Sequence, residues 1–145
     1  MTEKIILQKK KIPISDDIES DIEWLCESLG LIGPKDKDKT GIKIFRVIIE
    51  CSREGRGISS SELCERFQLS KTAVVYHLNN LIRSGVVERR NTEYYLRERN
   101  ILRTIMEIKH DIERIFTEIE EMADIIDREL NMPRLDLRRS LKERR

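Results

Sequence analysis

Apolar residues in this chain recur at steps of three and four, the spacing that lines one face of an α-helix, in five separate stretches. The first carries Ile18, Ile22, Leu25 and Leu29; Ser15, Asp16 and Asp17 open it with negative charge at the positive helix end, and Gly30 and Gly33-Pro34 close it. The second places Ile44, Phe45, Ile48 and Ile49 on a helix capped by Thr40 and broken by Gly55 and Gly57. In the third, Ser60 or Ser61 caps a short helix whose Leu63, Cys64 and Phe67 face inward. The fourth follows Ser70 with Val74, Leu78, Leu81 and Ile82, and Gly85 ends it as a C′ residue. Two β-rich arms come next, Val86-Val87 and Tyr94-Tyr95-Leu96, with Asn91-Thr92 between them. The fifth stretch, Glu98 to Leu130, repeats Ile101, Ile105, Ile108, Ile112, Ile115, Ile119, Met122 and Ile126 at steps of four and three, a heptad core sustained for more than three heptads. A second row at Leu102, Phe116, Ala123 and Leu130, interrupted by Lys109, widens that face.

These elements predict a mainly α fold of the α+β winged-helix type: a helix-turn-helix core, a short β-hairpin wing and a long C-terminal dimerisation helix. The expected organisation is a basic arm at 1–14, a winged helix-turn-helix domain with an extra N-terminal helix at 15–97, the long helix at 98–131 and a basic tail at 132–145. A helix of about 33 residues spans about 50 Å and cannot hide its stripe against one small domain. The expected partner is the same helix of a second subunit in a C2 dimer, the commonest closed symmetry.

The run LSKTAVVYHLNNLIRSGVVE carries a family signature. Leu69, Ser70, Ala73-Val74, His77-Leu78, Leu81 and Gly85-Val86-Val87 occupy the slots of the recognition-helix segment in winged-helix regulators of the ArsR and MarR type, which residues 41–97 resemble. The resemblance implies a helix that enters the DNA major groove and a short strand at Ile58 pairing with the wing. Many proteins of the ArsR type sense metals through two cysteines one residue apart in the helix before the recognition helix. Here Cys64 holds the first slot and Arg66 the second, which argues against a thiolate site.

Charge sharpens this picture. The net charge is only +1, but residues 66–103 carry eight basic and three acidic groups, 104–131 three basic and nine acidic, and 132–145 six basic and two acidic. Such segregation draws phosphate to one face and repels it from another. The remaining composition, 38% charged with Gln only at Gln8 and Gln68, is thermophile-like. Cys26, Cys51 and Cys64 are odd in number, far apart and on apolar faces, as expected for free thiols. No run is apolar enough for a membrane span and no signal-peptide pattern opens the chain, which points to the cytoplasm.

With Val74, Leu78 and Leu81 facing the core, the fourth helix leaves Lys71, Thr72, Val75, Tyr76, Asn79, Asn80 and Arg83 outward. Amides read adenine, guanidinium groups read guanine and methyl groups meet the thymine methyl in the major groove. The expected DNA contacts are Ser70, Lys71, Thr72, Val75, Tyr76, Asn79 and Arg83, with Arg89 and Arg90 from the wing; the backbone amides at the Ser70 end suit a phosphate. Lys9 to Lys11 and the terminal arginines would add non-specific phosphate contacts. His110 and Glu113 share a face of the long helix, too thin a set for Zn²⁺. No catalytic constellation and no cofactor motif is found, so an enzyme is not expected. The expected function is a dimeric transcription regulator that reads a pseudo-palindromic duplex; the alternatives are a chromatin-like non-specific DNA binder and a protein-interaction module of the transcription machinery. The sequence names no small-molecule effector.

Overall fold

The computed structural model describes residues 2–12, 16–31 and 39–133. Its elements are α1 (Ile18–Ser28), α2 (Thr40–Arg53), β1 (Ile58–Ser59), α3 (Ser60–Phe67), α4 (Lys71–Ser84), β2 (Val87–Arg90), β3 (Glu93–Leu96) and α5 (Ile101–Glu129). This mostly helical chain with a small antiparallel sheet is a winged helix, as the pattern predicts. It divides into two units, 1–111 and 112–145, with the boundary inside α5.

In the first unit the apolar faces of α2, α3 and α4 converge. Phe45, Ile44, Ile48, Leu63, Leu78 and Val74 are all fully buried. Each such side chain contributes about 1.5–3 kcal/mol, more than the 1 kcal/mol or so of a helix cap, so packing dominates the assembly of this core. Ile108 of α5 is also buried, at 2% exposure. The sheet has the order β1-β3-β2, with Ile58 opposite Tyr94 and Val87 opposite Leu96. Ile58 therefore does form the short strand that the family resemblance implies. Along β3, Tyr94 and Leu96 are buried while Glu93 and Tyr95 are half-exposed, the alternation of a sheet with one covered face. The Ser52 hydroxyl accepts from the Leu96 N–H at 3.1 Å and ties the end of α2 to the wing.

Several local expectations shift by a residue or a face. The cap of α3 is Ser59, not Ser60 or Ser61: its hydroxyl accepts from the Glu62 N–H at 3.1 Å. Ser59 pairs with Glu93 in the sheet, and this extended backbone is what an N-cap requires. Thr40 is the first residue of α2 and not its cap; Lys39 precedes it in a left-handed conformation without a side-chain cap bond. At α1 the capping side chain is Asp17, and Ser15 lies outside the described residues. Ile18 is 57% exposed rather than inward; Ile22, Cys26 and Leu29 make the buried row.

The second unit is described through the C-terminal part of α5 and the residues up to Pro133. From Glu113 to Leu130 every residue of α5 and its end is exposed, apolar ones included. The basic tail from 134 onward lies outside the described residues.

Candidate nucleic-acid interface

The three-residue turn Gln68-Leu69-Ser70 joins α3 to α4. Gln68 takes a left-handed conformation, φ 53°, and Leu69 N–H donates to the Cys64 carbonyl at 3.1 Å, closing α3. Ser70 then caps α4 as predicted, its hydroxyl accepting from the Ala73 N–H at 3.2 Å. Gly85, at φ 88°, ends α4 with its N–H directed to the carbonyls of Ile82 and Leu81. A side chain at Gly85 would collide with the Thr2 hydroxyl, so glycine is needed for space as well as for backbone.

Between these caps, Val74, Leu78 and Leu81 are buried in the core. Ser70, Lys71, Thr72, Tyr76, Asn79 and Arg83 are exposed, and Val75 and Asn80 are half-buried. Lys71, Thr72, Tyr76, Asn79 and Arg83 follow one another at steps of one, four, three and four, so cation, hydroxyls, amide and guanidinium form one outward strip. Tyr76 meets the ring of the half-buried His77 edge-on, with centroids 5.2 Å apart. This contact orients the phenol without covering it.

The wing is a tight hairpin with Asn91-Thr92 at its tip, and Asn91 supplies the left-handed residue, φ 56°. Its two arginines are held within the hairpin. The Arg89 guanidinium lies 5.9 Å from the Tyr94 ring, and its Nε–H donates to the Asn91 carbonyl at 2.9 Å. The Arg90 guanidinium lies 4.7 Å from the Tyr95 ring and pairs with Glu88. Tyr95 in turn is packed so close to Gly57 that a Cβ there would meet the phenol ring at 2.6 Å. Both arginines remain exposed, so the wing presents fixed rather than roaming positive charge.

A buried clasp joins the start of the arm, the end of α4 and α5. The Asp111 carboxylate, 3% exposed, accepts from the Thr2 N–H at 2.9 Å and from Arg97 Nη1 at 2.8 Å. Glu3 and Lys4 N–H groups both donate to the Arg83 carbonyl, at 2.7 and 2.9 Å. The start of the arm thus joins the last turn of α4 to α5. Burial by itself raises the Asp111 carboxyl, but the bonds from Arg97 and Thr2 and the Arg97 charge outweigh it and hold the group well below the ordinary carboxylate range. Two further described residues of the arm are engaged: Lys10 pairs with Glu27 at 2.6 Å, and Trp24 Nε1–H donates to the Lys11 carbonyl at 2.8 Å. In the sequence, Asp111 shares a helix face with Thr104 and Ile108, seven and three residues before it, but nothing local points to its partner Thr2.

Of the eight stripe positions on α5, Ile108 is buried in the first unit, and Ile101, Ile105 and Ile112 are half-buried. Ile115, Ile119, Met122 and Ile126 are exposed. Among the described residues, no group of three or more His, Cys, Asp or Glu could hold a metal ion. Cys26 and Cys51 are buried and Cys64 is half-buried; burial pushes the Cys51 thiol up. No helix of the described residues is long and apolar enough to cross a membrane.

A capped helix-turn-helix with an exposed polar strip and a three-stranded sheet that ends in a hairpin wing defines the winged helix-turn-helix class. A model of the MarR family matches residues 45–94, from within α2 to within β3, and supports a winged-helix transcription regulator. No curated protein and no solved structure matches the chain.

Proposed function

We propose that the protein is a homodimeric transcription regulator that binds double-stranded DNA, with α4 of each subunit in a major groove and the wing beside it. The observation that carries this reading is the outward strip of α4. Five polar groups able to bond base edges or phosphates stand exposed on a helix whose opposite face is locked in the core. Ser70, Lys71 and Thr72 lie at its N-terminal end, where backbone N–H groups favour phosphate. Val75, half-buried, offers methyl groups between the polar readers. Arg89 and Arg90 supply backbone contacts at the flank.

The dimer reading is supported by α5. Ile115, Phe116, Ile119, Met122, Ile126 and Leu130 stand 45–67% exposed, an apolar stripe that a lone helix in water would not keep open. Two subunits related by a two-fold axis favour a pseudo-palindrome with half-sites one helical turn, or a multiple, apart.

Selection of duplexes from a random pool by the purified protein near physiological salt tests both halves. A two-fold symmetric enriched motif is the expected outcome. Retention of DNA without a motif would instead identify a non-specific chromatin-like binder. No retention at low salt would leave the winged helix as a protein-interaction module.

A further inference from the structure

A second stripe on α5 runs from Leu102 to Leu130 at alternating steps of three and four, the period of a coiled-coil seam. None of its nine positions is buried: Ile105 and Ile112 are half-covered and the other seven are exposed, Leu102 at 69% and Leu130 at 67%. The seam is nearly a palindrome about Phe116. Counting outward from it, Ile112 mirrors Ile119, Lys109 mirrors Ala123, Ile105 mirrors Ile126 and Leu102 mirrors Leu130.

That symmetry discriminates between the two ways in which a second copy can lie on the seam. In a parallel in-register pair each residue meets itself. Lys109 would face the partner's Lys109, two like charges in the seam, and Ala123 would face the partner's Ala123 across a gap. In an antiparallel pair centred on Phe116 every layer is filled. Leucine meets leucine at the ends, isoleucine meets isoleucine in four layers, and the Lys109 stem lies over the small Ala123 of the partner. The lysine ammonium then reaches the partner's Glu120 and Asp127, three residues before and four after Ala123 on the same side of the helix.

Charge along α5 points the same way. Within α5, residues 101–110 carry two basic groups and one acidic, whereas 113–129 carry seven acidic and two basic. Antiparallel overlap sets each basic segment against an acidic one, and it opposes the two helix dipoles. The one like-charge approach, Glu113 beside the partner's Glu120, falls at the solvated rim, where it costs little.

We infer that two copies of α5 pair antiparallel along the Leu102–Leu130 seam, with Phe116 against the partner's Phe116 on the two-fold axis. This inference rests on the dimer proposed above and adds its polarity and register. Helices so paired stand about 8–10 Å apart.

Spin labels decide it. In the full chain with Cys64→Ser, which leaves only the buried Cys26 and Cys51, cysteine is introduced at Thr117 or at Arg128 and labelled, and the distance between the two labels of a dimer is measured. Antiparallel pairing about Phe116 separates the two positions 117 by about 3 Å along the axis and the two positions 128 by about 36 Å, at 1.5 Å per residue. The expected result is therefore a short distance at 117 and a long one at 128. Short distances at both would mean parallel helices and overturn the inference while keeping the dimer. Long distances at both would place the contact on another surface and overturn it as well. A monomer in the sedimentation control, run at micromolar concentration, would remove the dimer reading itself.

Discussion

At the scale of single residues, Asp111 is the position where a small change should have the largest effect. Its carboxylate is buried against Arg97 and Thr2. Asp111→Asn leaves the Arg97 charge poorly compensated, which for a buried pair costs about 3 kcal/mol. Thermal or denaturant unfolding should show that loss at neutral pH. Because the folded carboxyl is held below its unfolded value of about 3.9, the contribution is whole above about pH 5 and fades as the pH falls toward the depressed folded value. The stabilities of wild type and variant should therefore converge in acid; a constant gap down to pH 2 would show that the carboxylate charge is not what stabilises the clasp. Gly85→Ala tests the same junction from the other side. It meets both a left-handed backbone and the Thr2 hydroxyl, and should cost about 1–3 kcal/mol in the same unfolding assay.

At the scale of elements, the strongest signals were periodicity and capping, and these carried most of the fold into view. Ser70 and Gly85 bound α4 because a hydroxyl and a left-handed glycine are what those two ends require. The misses have physical causes. Three consecutive serines, Ser59 to Ser61, can all cap α3, and only the pairing of Ser59 with Glu93 selects one. In α1, Ile22, Cys26 and Leu29 fit the helical period as well as Ile18, Ile22, Leu25 and Leu29 do, and the thiol packs as a small hydrophobe. The clasp was hidden because Thr2 and Asp111 are 109 residues apart, beyond any local pattern. For α4, the outward strip predicts an asymmetry in DNA binding. Asn79→Ala or Arg83→Ala, removing a base reader, should cost about 1–3 kcal/mol on the preferred site and relax the sequence preference at one position. Arg90→Ala should weaken all duplexes alike and lower the salt slope by about one. Affinity measured on preferred and scrambled duplexes at several salt concentrations separates the two behaviours; equal effects of all three substitutions on both duplexes would remove α4 as the reader.

At the scale of the whole molecule, the proposed recognition by two copies would make affinity depend on α5, which carries no DNA-facing residue in that reading. Two tethered half-site contacts act at an effective concentration in the millimolar range, so joint binding exceeds single binding by about 10²–10⁴ without any new contact. Ile119→Lys puts a charge into the exposed stripe of α5 while leaving the core of the first unit untouched. Such a substitution on a surface with no partner changes folding stability by no more than about 0.5 kcal/mol. The expected outcome is therefore a folded, monomeric protein whose affinity for a two-half-site duplex falls by two to four orders of magnitude, while its affinity for a single half-site stays the same. Sedimentation, far-UV circular dichroism and titration against both duplexes would show this together. If the variant remained dimeric, or bound the double site as tightly as before, the stripe would not be the element that joins two readers. If both duplexes were lost equally, α5 would act through the fold of the reading domain rather than through its duplication.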